Sequence, residues 1–156
     1  MNCWILQCNI NHYRWLDSMI LHKKDLDTWG IRHHILHVQE GDTAFIWLTQ
    51  YKGEKTQGIY AVAEITGLPD IKRKKFAWAK LYWIAPEAEK EFPFNLELRY
   101  TKLIICKPIL KDELEEADLA HLLTVERYPR NIYKLSPKDC AIIKKLVEAR
   151  EGYRKN

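Results

Sequence analysis

Few residue groupings in this sequence could make or break bonds, but several could hold a flat, charged ligand. Trp29 lies between a charged stretch, Lys23 to Asp27, and Gly30. Trp78 lies two residues past Phe76, directly after the basic run Lys72, Arg73, Lys74 and Lys75. A nucleobase stacked on such a ring gains about 1–3 kcal/mol, and adjacent lysines can hold its phosphates. The basic run alone also reads as a solvated loop, so it is the neighbouring aromatics that give it weight.

Other groupings are weaker. His33 and His37 would share a face at i, i+4 if their segment were helical, as zinc ligands can. No glutamate stands between them and no third ligand is apparent, so an amphipathic surface stretch is the better reading and no metal is expected. Gly53 to Gly58 opens like a phosphate loop, but Ile59 and Tyr60 follow where lysine and serine or threonine are required. No GxGxxG or GxSxG occurs, and six glycines give little support to a backbone cradle for a nucleotide. Cys140 falls on an expected helix among apolar neighbours, where a thiol is buried and inert. Neither an enzyme nor a cofactor is indicated.

Composition bounds the rest. The length of 156 residues suits one domain with a substantial core, expected over residues 1–156. No apolar run reaches the roughly 18 residues of a membrane span. The start, MNCWILQCNI, lacks the basic region and cleavage site of a signal peptide. Cys3, Cys8, Cys106 and Cys140 form no CxxC pair, which argues against a zinc ribbon or a disulfide scaffold and points to a reducing cytoplasm. Twenty-five basic against 21 acidic residues is a mild excess that proves no polyanion partner. Its distribution says more, because Asp112 to Asp118 is acidic while Lys72 to Lys75 is basic.

The elements that must position these residues read as follows. Cys3 to Cys8 is a strand, broken by Asn9-Ile10-Asn11. A helix over about 11–21 would bury Tyr13, Leu16 and Ile20. Gly41-Asp42 turns into Thr43 to Thr49, apolar on both faces and therefore a central strand. A polar loop, Lys52 to Gln57, leads to the strand Gly58 to Ile65, and Gly67-Leu68-Pro69-Asp70 ends that hairpin. Leu81 to Ala85, Leu96 to Tyr100 and Leu103 to Lys107 read as strands. A helix over Asp112 to Thr124 carries Leu119, Leu122 and Leu123. The last helix starts at Ser136 with Pro137 at its first position, and buries Ile143, Leu146 and Val147. The tail after Gly152 is expected to fray. Trp4, Trp47 and Trp83 lie in strand runs and read as core. Strands and helices do not alternate regularly, so the expected class is α+β, a small curved sheet or barrel of five or six strands with three or four short helices.

The order WILQCN, Trp29-Gly30-Ile31, EGDTAFIW, GIYAVAEI, LYWI and FPFNLELRY resembles an EVE domain, of the PUA-like superfamily related to YTH readers of methylated RNA. The resemblance covers nearly the whole chain. It implies a mixed or antiparallel PUA-like barrel with a pocket for an extruded, modified base. It implies Trp29 as one aromatic wall and Trp78 as another, with Gly30 beside the first. Asn9 would read the base edge, with Asn11 and Tyr13 as neighbours, and Trp47 would floor the pocket or remain core. Lys72, Arg73, Lys74 and Lys75 would hold phosphates. The chain departs from the pattern at Ile10, where many members carry proline.

A buried methyl contributes only about 0.8 kcal/mol, so strong selectivity needs a shaped pocket and a polar group that reads the freed Watson–Crick edge. Such modules resemble the N-terminal specificity domains of McrB-type modification-dependent restriction systems, where a GTPase motor and a nuclease do the work, which implies methylated duplex DNA as the partner and makes the chain either a reader domain excised from a chain that also carries the motor or a stand-alone module. An RNA-binding module shares the same features. A domain that binds other proteins or a small ligand would show no salt-dependent binding of polyanions at all.

Overall fold

The computed structural model describes residues 1–22, 25–49, 56–127 and 131–150. Its strands are β1 (Cys3–Cys8), β2 (Leu26–Ile31), β3 (Thr43–Leu48), β4 (Gly58–Asp70), β5 (Phe94–Leu103), β6 (Ile109–Leu110) and β7 (Ile132–Lys134). Three α-helices accompany them, α1 (Trp15–His22), α2 (Lys111–Glu116) and α3 (Pro137–Glu148). The strands form one mixed sheet in the order β2-β5-β4-β3-β1-β7, with β6 beside β4. Only β1 and β3 run parallel among the pairs described. The sheet curls into a half-barrel, so the α+β class expected from the sequence, a small curved sheet with short helices, is the one observed.

Both faces of the central strands are covered. Trp4, Leu6 and Cys8 on β1, with Ala44, Ile46 and Leu48 on β3, enter a core inside the curl that also holds Trp15, Trp29 and Tyr100. Cys3 and Ile5, with Phe45 and Trp47, enter a second core on the outer face, closed by Leu114, Leu119, Ile143 and Val147. Alternate residues of a strand face opposite sides, so this division follows from position parity. The turn before β3 is fixed by two residues. Gly41 has φ +90°, a conformation that favours glycine. Asp42, fully buried, accepts hydrogen bonds from the Asn2 amide (3.0 Å), the Trp4 indole N–H (2.9 Å) and the Gln39 amide (2.9 Å).

Several elements differ from expectation. β2, β6 and β7 are additional strands. Leu81 and Tyr82 end a 3-10 helix, Ala77–Tyr82, and Trp83 makes a single bridge to Tyr13 instead of entering a strand. Pro86 starts a second 3-10 helix, Pro86–Glu91, and its missing N–H suits a helical first turn better than a ladder. The strand expected over Leu103 to Lys107 ends at Leu103, and Lys107 closes a turn by donating to the Ile104 carbonyl. β4 continues through Gly67 to Asp70 with shifts in its pairing to β5. The helix over Asp112 to Thr124 breaks at Asp118, where φ is +61°, and the Leu119 amide turns back onto the Leu114 carbonyl. α1 buries Trp15, Ser18 and Met19, and leaves Ile20 56% exposed. The start of α3 is as expected, with the Ser136 hydroxyl accepting from the Asp139 amide at 3.1 Å. Most of the loop at Lys52 to Gln57 and the tail after Gly152 lie outside the described residues.

Cys140 is not a free thiol. It forms a disulfide with Cys3, joining the first strand to the last helix at a Cα separation of 6.1 Å. The sequence could not reveal this pairing, because 137 positions separate the two residues. Among the described residues, no helix is long and apolar enough to cross a membrane.

Asp42 leads to a direct test. Asp42→Ala strands one indole and two backbone donors in the interior, and is expected to cost about 3–5 kcal/mol. Urea unfolding checks it, and a loss below about 1 kcal/mol would show that the turn does not depend on this carboxylate.

Candidate functional site

The inner core opens into a cavity of about 500 Å³ between the end of β1, the edge strand β2 and the connection that follows β4. This lies within the range typical of small-ligand sites. β2 contributes by alternation. Asp27, Trp29 and Ile31 are buried while Thr28 and Gly30 are only partly so, and Asp27 and Trp29 border the cavity. Gly30 allows a close approach that no other residue would, since a Cβ there would lie 2.4 Å from the Phe92 carbonyl oxygen.

The exit of β1 forms a second wall. The Asn9 carbonyl accepts from the His12 and Tyr13 amides, and its side-chain oxygen accepts from the Asn11 amide at 2.9 Å. This is the self-capping turn that asparagine favours. Ile10 donates its N–H to the Thr49 hydroxyl at 3.3 Å, a bond that proline could not make. Tyr13 then pairs with Trp83, ring edge to ring at 4.8 Å, while the His12 carbonyl accepts from the Ile84 amide. That bridge brings Trp83 to the cavity, where Lys75 lies 5.1 Å over its ring and also pairs with Glu89 at 2.9 Å.

The floor is a buried relay. Asp27, 4% exposed, accepts from the Tyr100 hydroxyl at 2.5 Å and from the Thr28 amide at 2.8 Å. Tyr100 in turn accepts from the Trp15 indole at 3.0 Å. Burial pushes the Cys8 thiol up to about 12, and the nearby Asp27 charge adds to this. Burial first and Asp27 second also raise the Tyr13 and Tyr100 phenols. All three groups are therefore neutral near pH 7, and Cys8 is no nucleophile there.

The sequence-derived residues divide accordingly. Asn9, Tyr13, Trp29, Gly30 and Lys75 border the cavity. Trp47 does not, because its parity on β3 sends it, fully buried, into the outer core. Trp78 does not border it either. It stacks between Phe76 (6.0 Å) and His22 (5.1 Å), while Trp83, five positions on, reaches the cavity from the same connection. Asn11 is exposed beside the site, and Lys72 and Lys74 are exposed beyond it. Arg73 serves structure, donating to the Asn95 and Leu68 carbonyls and facing Glu97 at 3.7 Å. His33, His34 and His37 lie in turns rather than on a helix, and the His34 ring packs on Trp4 at 5.2 Å. Among the described residues, no three potential metal ligands cluster.

Sequence reasoning missed Asp27, Trp83 and Asn131. The alternation of Asp27, Trp29 and Ile31 could have revealed β2 and with it Asp27. Asn131 gave no signal, since its role depends on donating its side-chain N–H to the Gly30 carbonyl across 101 positions.

Comparison with known proteins gives the family and the fold. The sequence matches the EVE domain family over residues 2–146. Human THYN1 in complex with 5-methylcytosine containing DNA is similar in fold, with a TM-score of 0.60, 14% identity, and 97% of this chain and 100% of that one covered. A hypothetical protein from Leishmania major gives 0.60 at 18% identity, covering 95% of each chain. Rpa0253 from Rhodopseudomonas palustris gives 0.59 at 16%, covering 97% and 96%. No curated protein matches the sequence significantly.

The buried neutral groups set an alkaline limit on stability. In the unfolded chain Cys8 ionises near 9.0, and in the fold only near about 12. Between these values the unfolded state has lost a proton that the fold keeps, so this contribution is complete below pH 9 and is lost as pH rises toward 12. Tyr13 and Tyr100 act in the same direction from an ordinary value of 10.0. The urea midpoint is expected to fall between about pH 8.5 and 11, less steeply in Tyr100→Phe, and a flat midpoint would contradict the burial of these groups.

Proposed function

Because this chain belongs to the EVE family, which it matches over residues 2–146, we propose that it is a non-catalytic nucleic-acid-binding module that accepts a modified, methylated base flipped out of duplex DNA. The observation that carries this reading is one cavity bordered by Trp29, Trp83 and the buried carboxylate of Asp27. Apolar rings offer faces for stacking, and a polar floor offers an edge for reading. The likeness in fold to a protein solved with 5-methylcytosine containing DNA supports DNA over RNA as the partner.

Flipping a base costs a few kcal/mol, which stacking on the aromatic rings together with phosphate contacts can offset. The exposed Lys72 and Lys74 are suited to phosphate. Lys75 is less so, because Glu89 already neutralises it. In a modification-dependent restriction system the module would supply specificity, with a GTPase motor and a nuclease supplying the work. We place it in the cytoplasm, where the Cys3–Cys140 disulfide would have to persist against reduction, as disulfides do inside hyperthermophiles.

Binding to duplexes containing 5-methylcytosine, N6-methyladenine or unmodified bases tests the reading, with single-stranded RNA as competitor at one salt concentration. One methylated duplex is expected to bind more tightly than the unmodified one and to outcompete RNA. Trp29→Ala and Trp83→Ala should each weaken it by about 1–3 kcal/mol, and Trp78→Ala by less. Lys74→Ala should weaken all duplexes alike and reduce the salt slope by about one. Equal affinity for all three duplexes would sink the proposal, and preference for RNA would move it to the RNA-binding class.

A further inference from the structure

Several polar groups that border the cavity are acceptors. Asp27 presents a carboxylate, which has about four acceptor positions. Its orientation is fixed by the donors Tyr100 and Thr28. Asn131 commits its N–H to the Gly30 carbonyl, which fixes its side-chain oxygen as an acceptor, and that oxygen is buried without a partner. Glu89 and Glu91 add two more carboxylates at the border. Two of the nearby donors are engaged. Lys75 pairs with Glu89, and the Cys8 thiol donates to the Tyr13 carbonyl at 3.6 Å. A buried acceptor without a donor is costly, so the ligand that completes this site should bring donors.

We infer that Asp27, positioned by Tyr100 and seconded by Asn131, selects a base carrying an exocyclic amine. This rests on the base-binding reading above and narrows it to cytosine- or adenine-type bases. Carboxylates accept from the cytosine amine in the same way in groove readout. Thymine has the methyl and ring of 5-methylcytosine but a carbonyl oxygen in place of the amine. That oxygen would meet the Asp27 carboxylate acceptor to acceptor, and hypoxanthine would do so in place of adenine. Tyr100 is a positioning residue. It holds the carboxylate, and Trp15 holds Tyr100 from α1.

The test uses the whole chain and duplexes in which the target base lies opposite an abasic site, so that no pairing energy differs between them. The target bases are 5-methylcytosine, cytosine, thymine, adenine and hypoxanthine. 5-Methylcytosine is expected to bind roughly 5- to 150-fold more tightly than thymine if cytosine is the type read, and adenine to exceed hypoxanthine similarly if adenine is. Asp27→Asn supplies a donor at equal size and should collapse or invert that ratio. Tyr100→Phe should shrink it while leaving the preference for 5-methylcytosine over cytosine in place. Equal binding of amino and oxo bases by the native protein overturns the inference, as does an Asp27→Asn variant that loses all ligands in equal proportion. If Asp27→Asn does not fold, an unchanged ratio in Tyr100→Phe overturns it instead. Equal binding of 5-methylcytosine and cytosine together with rejection of thymine supports the amine selection while contradicting the methyl reading. Absence of binding to every duplex overturns both.

Discussion

The central strands β1 and β3 are buried on both faces, so position parity assigns each of their side chains to one of two cores. One face looks into the curl of the sheet, and the other meets α2 and α3. A shift of one residue in either strand would exchange the two sets. The turn at Gly41-Asp42 guards against this, because the Asp42 carboxylate holds the Trp4 indole and the amides of Asn2 and Gln39 in one arrangement. The cavity depends on the same assignment. It opens at the end of the inner core, and Cys8 and Trp29 belong to both.

At the floor of the cavity the buried Asp27 carboxylate lies near three groups that stay neutral. Cys8, Tyr13 and Tyr100 are all pushed toward their protonated forms by burial, and the charge of Asp27 adds to this. A buried charge is tolerable only when it is satisfied. A phenol and a backbone amide donate to this one, and the phenol is itself anchored by the Trp15 indole. The chain of contacts crosses α1, β5 and β2, so the floor of the cavity is set by regular elements rather than by a loop. The aromatic Trp83 is held differently, by the bridge between residue 13 and residue 83 and by Lys75 above its ring. One side of the site is rigid by core packing, and the other rests on a short contact between two connections.

Features carried by local pattern were legible in the sequence. β1, β3, the start of β4, the Gly41-Asp42 turn and the Ser136-Pro137 start of α3 each follow from residues within a few positions. So does Trp29, whose polar setting singled it out. Features that depend on distant partners were not legible. β2 is a strand because β5 pairs with it, although the charged stretch before it reads as a connection. Leu81 to Ala85 has the composition of a strand but no edge to join. Trp47 and Trp83 both read as core from their apolar runs, and only Trp47 is: it belongs to the outer core and not to a pocket floor, while Trp83 borders the cavity. Asn131 and the Cys3–Cys140 pair are defined wholly by contacts across more than 100 positions.

The disulfide also changes how the molecule would carry load. Its sulfurs join residue 3 to residue 140, so the covalent path from one side of the domain to the other need not pass through the chain between them. A pull applied outside these two cysteines runs through the S–S bond. β2, the cavity and the connection bearing Trp83 all lie within the closed ring and stay slack. With the bond intact, the domain can be hauled upon without its pocket being drawn open. With the bond reduced, the same tension would reach β1 and β7 directly, where the paired positions from Trp4 to Leu6 and the flanking Gln7–Asn131 and Leu135–Cys3 backbone hydrogen bonds hold the two segments together.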